Sequence, residues 1–93
     1  MAWTIFWTSE AKGDVRRHKE YLSLRNPESG HRIAKSLTNT PKTLWAYPRM
    51  GEELKEFQPR EVRRLIVEGY EFRYEIRGAE IRVLRIFHGR EDR

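Results

Sequence analysis

The sequence predicts an α+β domain: one strand, two helices and three further strands, with an N-terminal helical hairpin packed on an antiparallel sheet of about four strands. Three observations carry this. Residues 2–8 alternate as a strand does, residues 9–46 hold apolar side chains three and four positions apart, and the last third of the chain is three short apolar-rich runs parted by glycine turns. At 93 residues, 38% hydrophobic and 35% charged, the chain has room for one domain (1–93) with a single modest core.

In residues 2–8, Trp3, Ile5 and Trp7 share one face while Thr4, Phe6 and Thr8 share the other, the pattern of a strand with one buried side. Thr8 or Ser9 then caps a helix, its hydroxyl oxygen accepting a bond from an otherwise unpaired N–H of the first turn. Ala11, Val15, His18 and Leu22 form the narrow apolar stripe of that helix, which ends near Leu24. Asn26-Pro27 starts the second helix, because Asn suits the cap and Pro suits the first helical position, where its missing N–H costs nothing. Ile33, Ala34, Leu37 and Leu44 carry the period to about Ala46. Pro41 lies inside this run and predicts a kink or a division into two shorter helices.

Tyr47-Pro48-Arg49-Met50-Gly51 reads as the turn that ends the helical region, and residues 51–60 as irregular connection with Leu54 and Phe57 tucked inward. Residues 62–67, 70–76 and 81–88 are the remaining strands, turned at Glu68-Gly69 and Arg77-Gly78. In the middle one Tyr70, Phe72, Tyr74 and Ile76 face the core, whereas Glu71, Arg73, Glu75 and Arg77 face water. The last strand is more evenly apolar, as expected of an interior strand with partial cover on both faces.

A net charge of +5 and a pI near 9.9 favour acidic partners: nucleic acid, an acidic protein or a polyanionic surface. The excess is spread, with 10 Lys/Arg against 7 Asp/Glu in residues 1–59 and 9 against 7 in residues 60–93, unlike a dedicated DNA-binding arm. Without cysteine there is no disulfide, thiolate nucleophile or thiolate metal ligand. His18 and His31 belong to no metal-spaced cluster, so neither metal nor cofactor is expected. No run approaches the roughly 18 apolar residues of a membrane span, and no long apolar segment of the signal-peptide kind opens the chain, so a cytoplasmic protein without a membrane partner is expected. Trp3, Trp7, Trp45, Phe6, Phe57, Tyr70, Phe72 and Tyr74 fall at strand and helix spacings that suit core packing better than base stacking.

Chemistry concentrates at Leu84-Arg85-Ile86-Phe87-His88-Gly89-Arg90. An RNA-cleaving site needs a base or acid for the 2′-hydroxyl and the leaving oxygen, and cations for the charge gathering on the phosphate. His88 suits the first role and Arg64, Arg85 and Arg90 the second. Strict alternation points Arg85 and Phe87 one way and His88 the other, so these groups converge only if the strand end twists or bulges. Otherwise His88 is a rim histidine that binds a backbone group or a partner. The pairs Arg16-Arg17 and Arg63-Arg64 suit solvated faces or contact with an acidic partner.

Taken in order, Ala11-x-x-Asp14-Val15, Tyr21-Leu22, Tyr47-Pro48-Arg49-Met50-Gly51, Val62-Arg63-Arg64-Leu65, Gly69-Tyr70-x-Phe72-x-Tyr74 and Ile81-x-Val83-Leu84-Arg85-Ile86-x-His88-Gly89-Arg90 resemble the RelE/ParE superfamily of toxin–antitoxin toxins over nearly the whole chain. The resemblance implies a small toxin neutralised by a cognate antitoxin. RelE-like members look like ribosome-dependent, metal-independent mRNA endonucleases, whereas ParE-like members share the fold and inhibit DNA gyrase without catalysing a reaction. The long paired helices, the Pro-Arg-Met-Gly turn and the ending His-Gly-Arg, with no Tyr or Lys after Arg90, look more like the ParE branch. That branch implies target contact through Arg85, Phe87, His88, Arg90 and Arg93. The RelE alternative implies an active site of Arg64, Arg85, His88 and Arg90, with ribosome and mRNA as partners. Either branch implies an antitoxin that is acidic and partly disordered when free, for which Trp3, Trp7, Arg17, Tyr21, Leu22 and Phe87 are candidate anchors.

Overall fold

The computed structural model describes residues 3–89. Strand β1 (Thr4–Trp7) leads into helix α1 (Ser9–Ser23) and helix α2 (Pro27–Ala46). Strand β2 (Glu52–Glu53), a 3-10 turn at Lys55–Phe57, and strands β3 (Glu61–Val67), β4 (Tyr70–Arg77) and β5 (Glu80–His88) follow. The α+β class and the order of the main elements are those expected. The sheet has five strands rather than about four, in the order β1-β5-β4-β3-β2. β2 lies inside the stretch expected to be irregular connection, since two residues carry no alternation. It pairs through Glu52 with Arg64 and Glu53 with Arg63. The sheet is also mixed: β1 runs parallel to β5, while the other neighbours are antiparallel. Among the described residues no helix is long and apolar enough to cross a membrane.

Both helix starts follow their capping residues. The Thr8 hydroxyl accepts from the Ala11 N–H, and the Asn26 side chain accepts from the N–H groups of Glu28 and Ser29. The expected break at Pro41 does not occur, and α2 runs unbroken through it. The Thr38 hydroxyl donates to the Ala34 carbonyl and the Thr40 hydroxyl to that of Ser36, in the turn that Pro41 weakens. Pro41 itself is buried, so packing holds the helix where its own ladder lacks a bond.

Ala11, Ile33, Leu37 and Leu44 from the helices close on Tyr70, Phe72, Tyr74, Ile76, Ile81, Val83 and Ile86 from the sheet, with Trp3, Ile5 and Trp7 packed at the margin. Trp45 and Phe6 depart from the expected core, at 55% and 43% exposed. The ring of Phe6 lies on the far face of the sheet, where the guanidinium of Arg82 covers it at 4.4 Å. Tyr74 ties the turn after α2: its hydroxyl donates to the Pro48 carbonyl at 2.8 Å and accepts from the Gly51 N–H at 3.1 Å. A Cβ at Gly51 would meet the Arg64 carbonyl at 2.7 Å, so only glycine fits there. The β3–β4 turn uses Glu68 (φ 49) and Gly69 (φ 83), both left-handed as a tight type I′ hairpin turn requires. Arg32 and Ser36 of α2 bind the Glu68 carboxylate.

Two helix glycines sit in opposite environments, and they set a test of the packing. A Cβ at Gly13 meets nothing within 4 Å, whereas one at Gly30 would lie 2.7 Å from the Lys19 carbonyl, at the crossing of α2 on α1. Gly13→Ala should therefore stabilise the protein by about 0.5–1 kcal/mol through helix propensity. Gly30→Ala should destabilise it by about 1–3 kcal/mol through forced separation of the helices. Urea midpoints measured at one pH would distinguish the two.

Candidate functional site

The site is built around the far half of β5. β1 reaches only as far as Val83 along that strand, so the outer edge of residues 84–88 has no strand beside it. Side chains of α1 take over. The Thr8 hydroxyl contacts the carbonyls of Val83 and Leu84 at 2.9 and 3.0 Å, the Asp14 carboxylate accepts the Ile86 N–H at 2.8 Å, and His18 Nε2 lies 2.8 Å from the Ile86 carbonyl. Because a carbonyl can only accept, His18 carries its proton on Nε2. Asp14 also receives Arg85 through Nε at 2.8 Å and Nη2 at 3.2 Å, and Arg17 at 3.3 Å. Burial raises the Asp14 pKa, but the bonds from Arg85 and Ile86, the charge of Arg85 and the bond from Arg17 outweigh it and hold the carboxyl below the ordinary aspartate range.

On the helix side of this junction Arg17, His18, Tyr21 and Leu22 of α1, with Arg25 just after it, face Tyr70 and His88 across a groove. His88 is exposed, and its ring meets that of Tyr70 edge-on at 5.3 Å; the Tyr70 ring in turn meets His18 at 4.8 Å. The expected antitoxin anchors Arg17, Tyr21 and Leu22 thus share one groove with His88. Tyr21 is 60% exposed, and Arg25 stands over its ring. Trp3 and Trp7 are half-buried beside the core, where Trp7 meets Phe72 edge-on at 5.9 Å.

The opposite face of the sheet corrects one expectation. Glu71 and Glu75 do not face water; they are 0% and 3% exposed. Each lies beneath arginines: Arg73 binds Glu71 through Nε and Nη2, Arg64 reaches Glu71 at 3.5 Å, and Arg60 grips Glu75 through Nε and Nη2. The bond from Arg60 leads the influences that lower the Glu75 pKa, and burial opposes it. Phe87 shares this face, with the guanidiniums of Arg73 and Arg85 at 5.0 and 4.9 Å from its ring, and at 9% exposure presents little surface. Arg64, Arg73 and Arg85 stand in register across three strands. A bulge between Arg73 and Tyr74 of β4 sets Arg73 opposite Arg85 and Tyr74 opposite Val83, leaving Leu84 as the extra residue. It precedes Arg85, so Arg85 and Phe87 stay on the outer face and His88 on the helix face. Of the expected site residues, Arg64 and Arg85 therefore come together, and His88 does not join them. Arg90 and Arg93 lie outside the described residues.

Asp14 is the important residue that residue-by-residue reasoning passed over. Its signal was present: a carboxylate on the same helical stripe as Ala11, His18 and Leu22, which needs a partner if that stripe is buried.

Residues 5–93 match the family model described as ParE toxin of type II toxin-antitoxin system, parDE. The chain belongs to this family. This ParE toxin also resembles a solved structure of the chromosomal ParDE TA system from P. aeruginosa, with a TM-score of 0.75 and 24% identity over 94% of this chain and 96% of that one. At that identity the likeness speaks for a shared fold. No curated protein matches the chain in sequence. Membership makes the protein a toxin of a type II toxin–antitoxin system, with a cognate antitoxin as partner.

The Asp14 junction sets the acid limit of the fold. A carboxylate whose folded pKa is depressed adds stability that is complete above its unfolded pKa and is lost as pH falls through the folded one. Stability should thus be level between about pH 5 and 7 and fall below about pH 4. Asp14→Asn should make that fall shallower, since one less proton is taken up on unfolding. Asp14→Ala, which strands the Ile86 N–H and Arg85, should cost about 2–4 kcal/mol at neutral pH. Urea unfolding across this pH range reads both effects.

Proposed function

We propose that this ParE toxin inhibits DNA gyrase without catalysing a reaction of its own, and that its antitoxin silences it by covering the groove between α1 and the end of β5. The gyrase target follows from the resemblance to ParE-like toxins. The observation that favours it over mRNA cleavage is the placement of His88 on the helix face of β5 while Arg64 and Arg85 stand on the outer face. General acid–base work on a phosphodiester needs the imidazole and the cations around one phosphate. The sheet lies between them.

The groove supports the neutralisation reading by its chemistry. Arg17 and Arg25 flank Tyr21 and Leu22, so an acidic segment that folds on contact finds both charge complementarity and apolar anchors. Because His88 lines the same groove, a bound antitoxin would withhold the end of β5 from any target. Antitoxin binding and target access are then mutually exclusive.

The test uses purified components: toxin with gyrase, relaxed plasmid and ATP, beside programmed ribosomes carrying a defined mRNA. The expected result is blocked supercoiling or accumulated cleaved DNA with intact mRNA, both reversed by antitoxin. His88→Ala should change gyrase inhibition by less than about tenfold. Cleaved mRNA that disappears by orders of magnitude in His88→Ala would overturn the reading.

A further inference from the structure

Both helices pack on one face of the sheet, and the other is roofed by the 3-10 turn at Lys55–Phe57 and by arginine side chains. Arg60, Arg64, Arg73, Arg77 and Arg82 reach this face and pair with carboxylates of the sheet, and Arg85 joins them at the β5 edge, where it pairs with Asp14 of α1. The vertical order of the charges is unequal. Glu71 and Glu75 form the floor, with side chains 0% and 4% exposed, whereas the side chains of Arg60, Arg77 and Arg85 are 53%, 57% and 42% exposed. A guanidinium has five N–H donors, and the forks of Arg60 on Glu75 and of Arg73 on Glu71 each use two. The buried carboxylates therefore act as positioning groups. They hold the guanidiniums in fixed orientations, so less side-chain entropy is lost when an outside anion binds.

We infer that this outer face binds the phosphodiester backbone of duplex DNA. Arg64, Arg73 and Arg85 form a row across three adjacent strands, a line of about 10 Å at ordinary strand spacing. One strand of a duplex presents about three phosphates over that length. Single-strand binders add open aromatic platforms to their cations. Here the rings lie beneath the cations: Phe87 under Arg73 and Arg85, Phe57 beside Arg60 and Arg73, Phe6 under Arg82. Such a face reads charge and spacing, and sequence little. The choice of duplex DNA rests on the gyrase reading above, in which the toxin meets an enzyme that holds duplex DNA.

The full-length toxin, freed of antitoxin, is titrated into a fluorescently labelled mixed-sequence 20-base-pair duplex at several salt concentrations, beside single-stranded DNA and RNA of the same length. The expected result is duplex binding that weakens with salt at a log–log slope of about −3, and single strands bound more weakly. Arg64→Gln leaves Glu71 with Arg73 and should reduce the slope by about one, whereas Arg77→Gln, outside the row, leaves Glu75 with Arg60 and should leave the slope unchanged, both with an unchanged melting temperature. As a measurement that needs no variant, amide NMR shifts on adding duplex should concentrate at residues 64, 73, 82 and 85. No duplex binding, tighter binding of single strands, a slope unmoved in Arg64→Gln, or shifts confined to the α1 groove would each overturn the inference. Gyrase inhibition by an unmutated toxin that binds no duplex would sink it while leaving the gyrase reading standing. Duplex binding by a toxin that leaves gyrase untouched would support the face and remove that reading instead.

Discussion

The structure depends on how the outer edge of β5 is completed. β5 has nine residues and β1 only four, so nearly half of the edge of a central, largely buried strand would have its backbone groups unpaired. Each buried group left so costs about 1–3 kcal/mol. Helix α1 meets this need with side chains. Its cap, Thr8, covers the carbonyls where β1 stops, and Asp14 and His18, one helical turn apart, take the N–H and the carbonyl of Ile86. The helix thereby substitutes for the missing strand. Its position is fixed by hydrogen bonds to particular atoms and not by apolar contact alone, which suits its narrow apolar stripe. The close approach at Gly30 then fixes α2 against α1, and the groove between α1 and the end of β5 follows as the space left beside that junction.

The two faces of the sheet meet the burial requirement by different means. The helix face uses aliphatic and aromatic side chains, including Leu37, Phe72 and Ile86 at 0% exposure. The outer face uses arginine stems and the rings of Phe57 and Phe87, with Glu71 and Glu75 neutralising the guanidiniums from below. Such ion pairs add little net stability, since desolvation offsets attraction, but losing one partner strands the other. What the network secures is the fixed placement of charge on a surface that no helix covers.

Much of this was legible in residue types alone. Thr8 and Asn26-Pro27 mark both helix starts because capping is local chemistry, and Tyr70, Phe72, Tyr74 and Ile76 declare the core face because a strand's period is 2. Three features were not legible, each because a distant partner decides it. Pro41 stays within one helix because its surroundings hold the chain, β2 exists because β3 offers an edge, and Glu71 and Glu75 are buried because arginines on β3 and before it reach over them. Alternation counts a carboxylate as exposed; the guanidiniums over Glu71 and Glu75 come from Arg73 on the same strand and from Arg64 and Arg60 on and before β3. The parting of the site residues by face was readable from alternation at the strand end, where Arg85, Phe87 and His88 keep their phase.

That phase is itself set upstream, by one residue. In β5 the core-facing positions run Ile81, Val83, then Ile86, a step of three where a plain strand takes two. The bulge at Leu84 supplies the extra residue, and its side chain is half-buried there. A continuous period of two from Val83 would send Arg85 into the core and Ile86 to the outer face, which the burial of a lone guanidinium among Tyr70, Phe72 and Ile33 forbids. With the bulge, Ile86 returns to the core, its backbone meets Asp14 and His18, Arg85 joins Arg64 and Arg73, and His88 emerges beside Tyr21 and Leu22. One inserted residue therefore assigns the cations to one face of the sheet and the histidine to the other, and so determines which chemistry the end of this strand can perform.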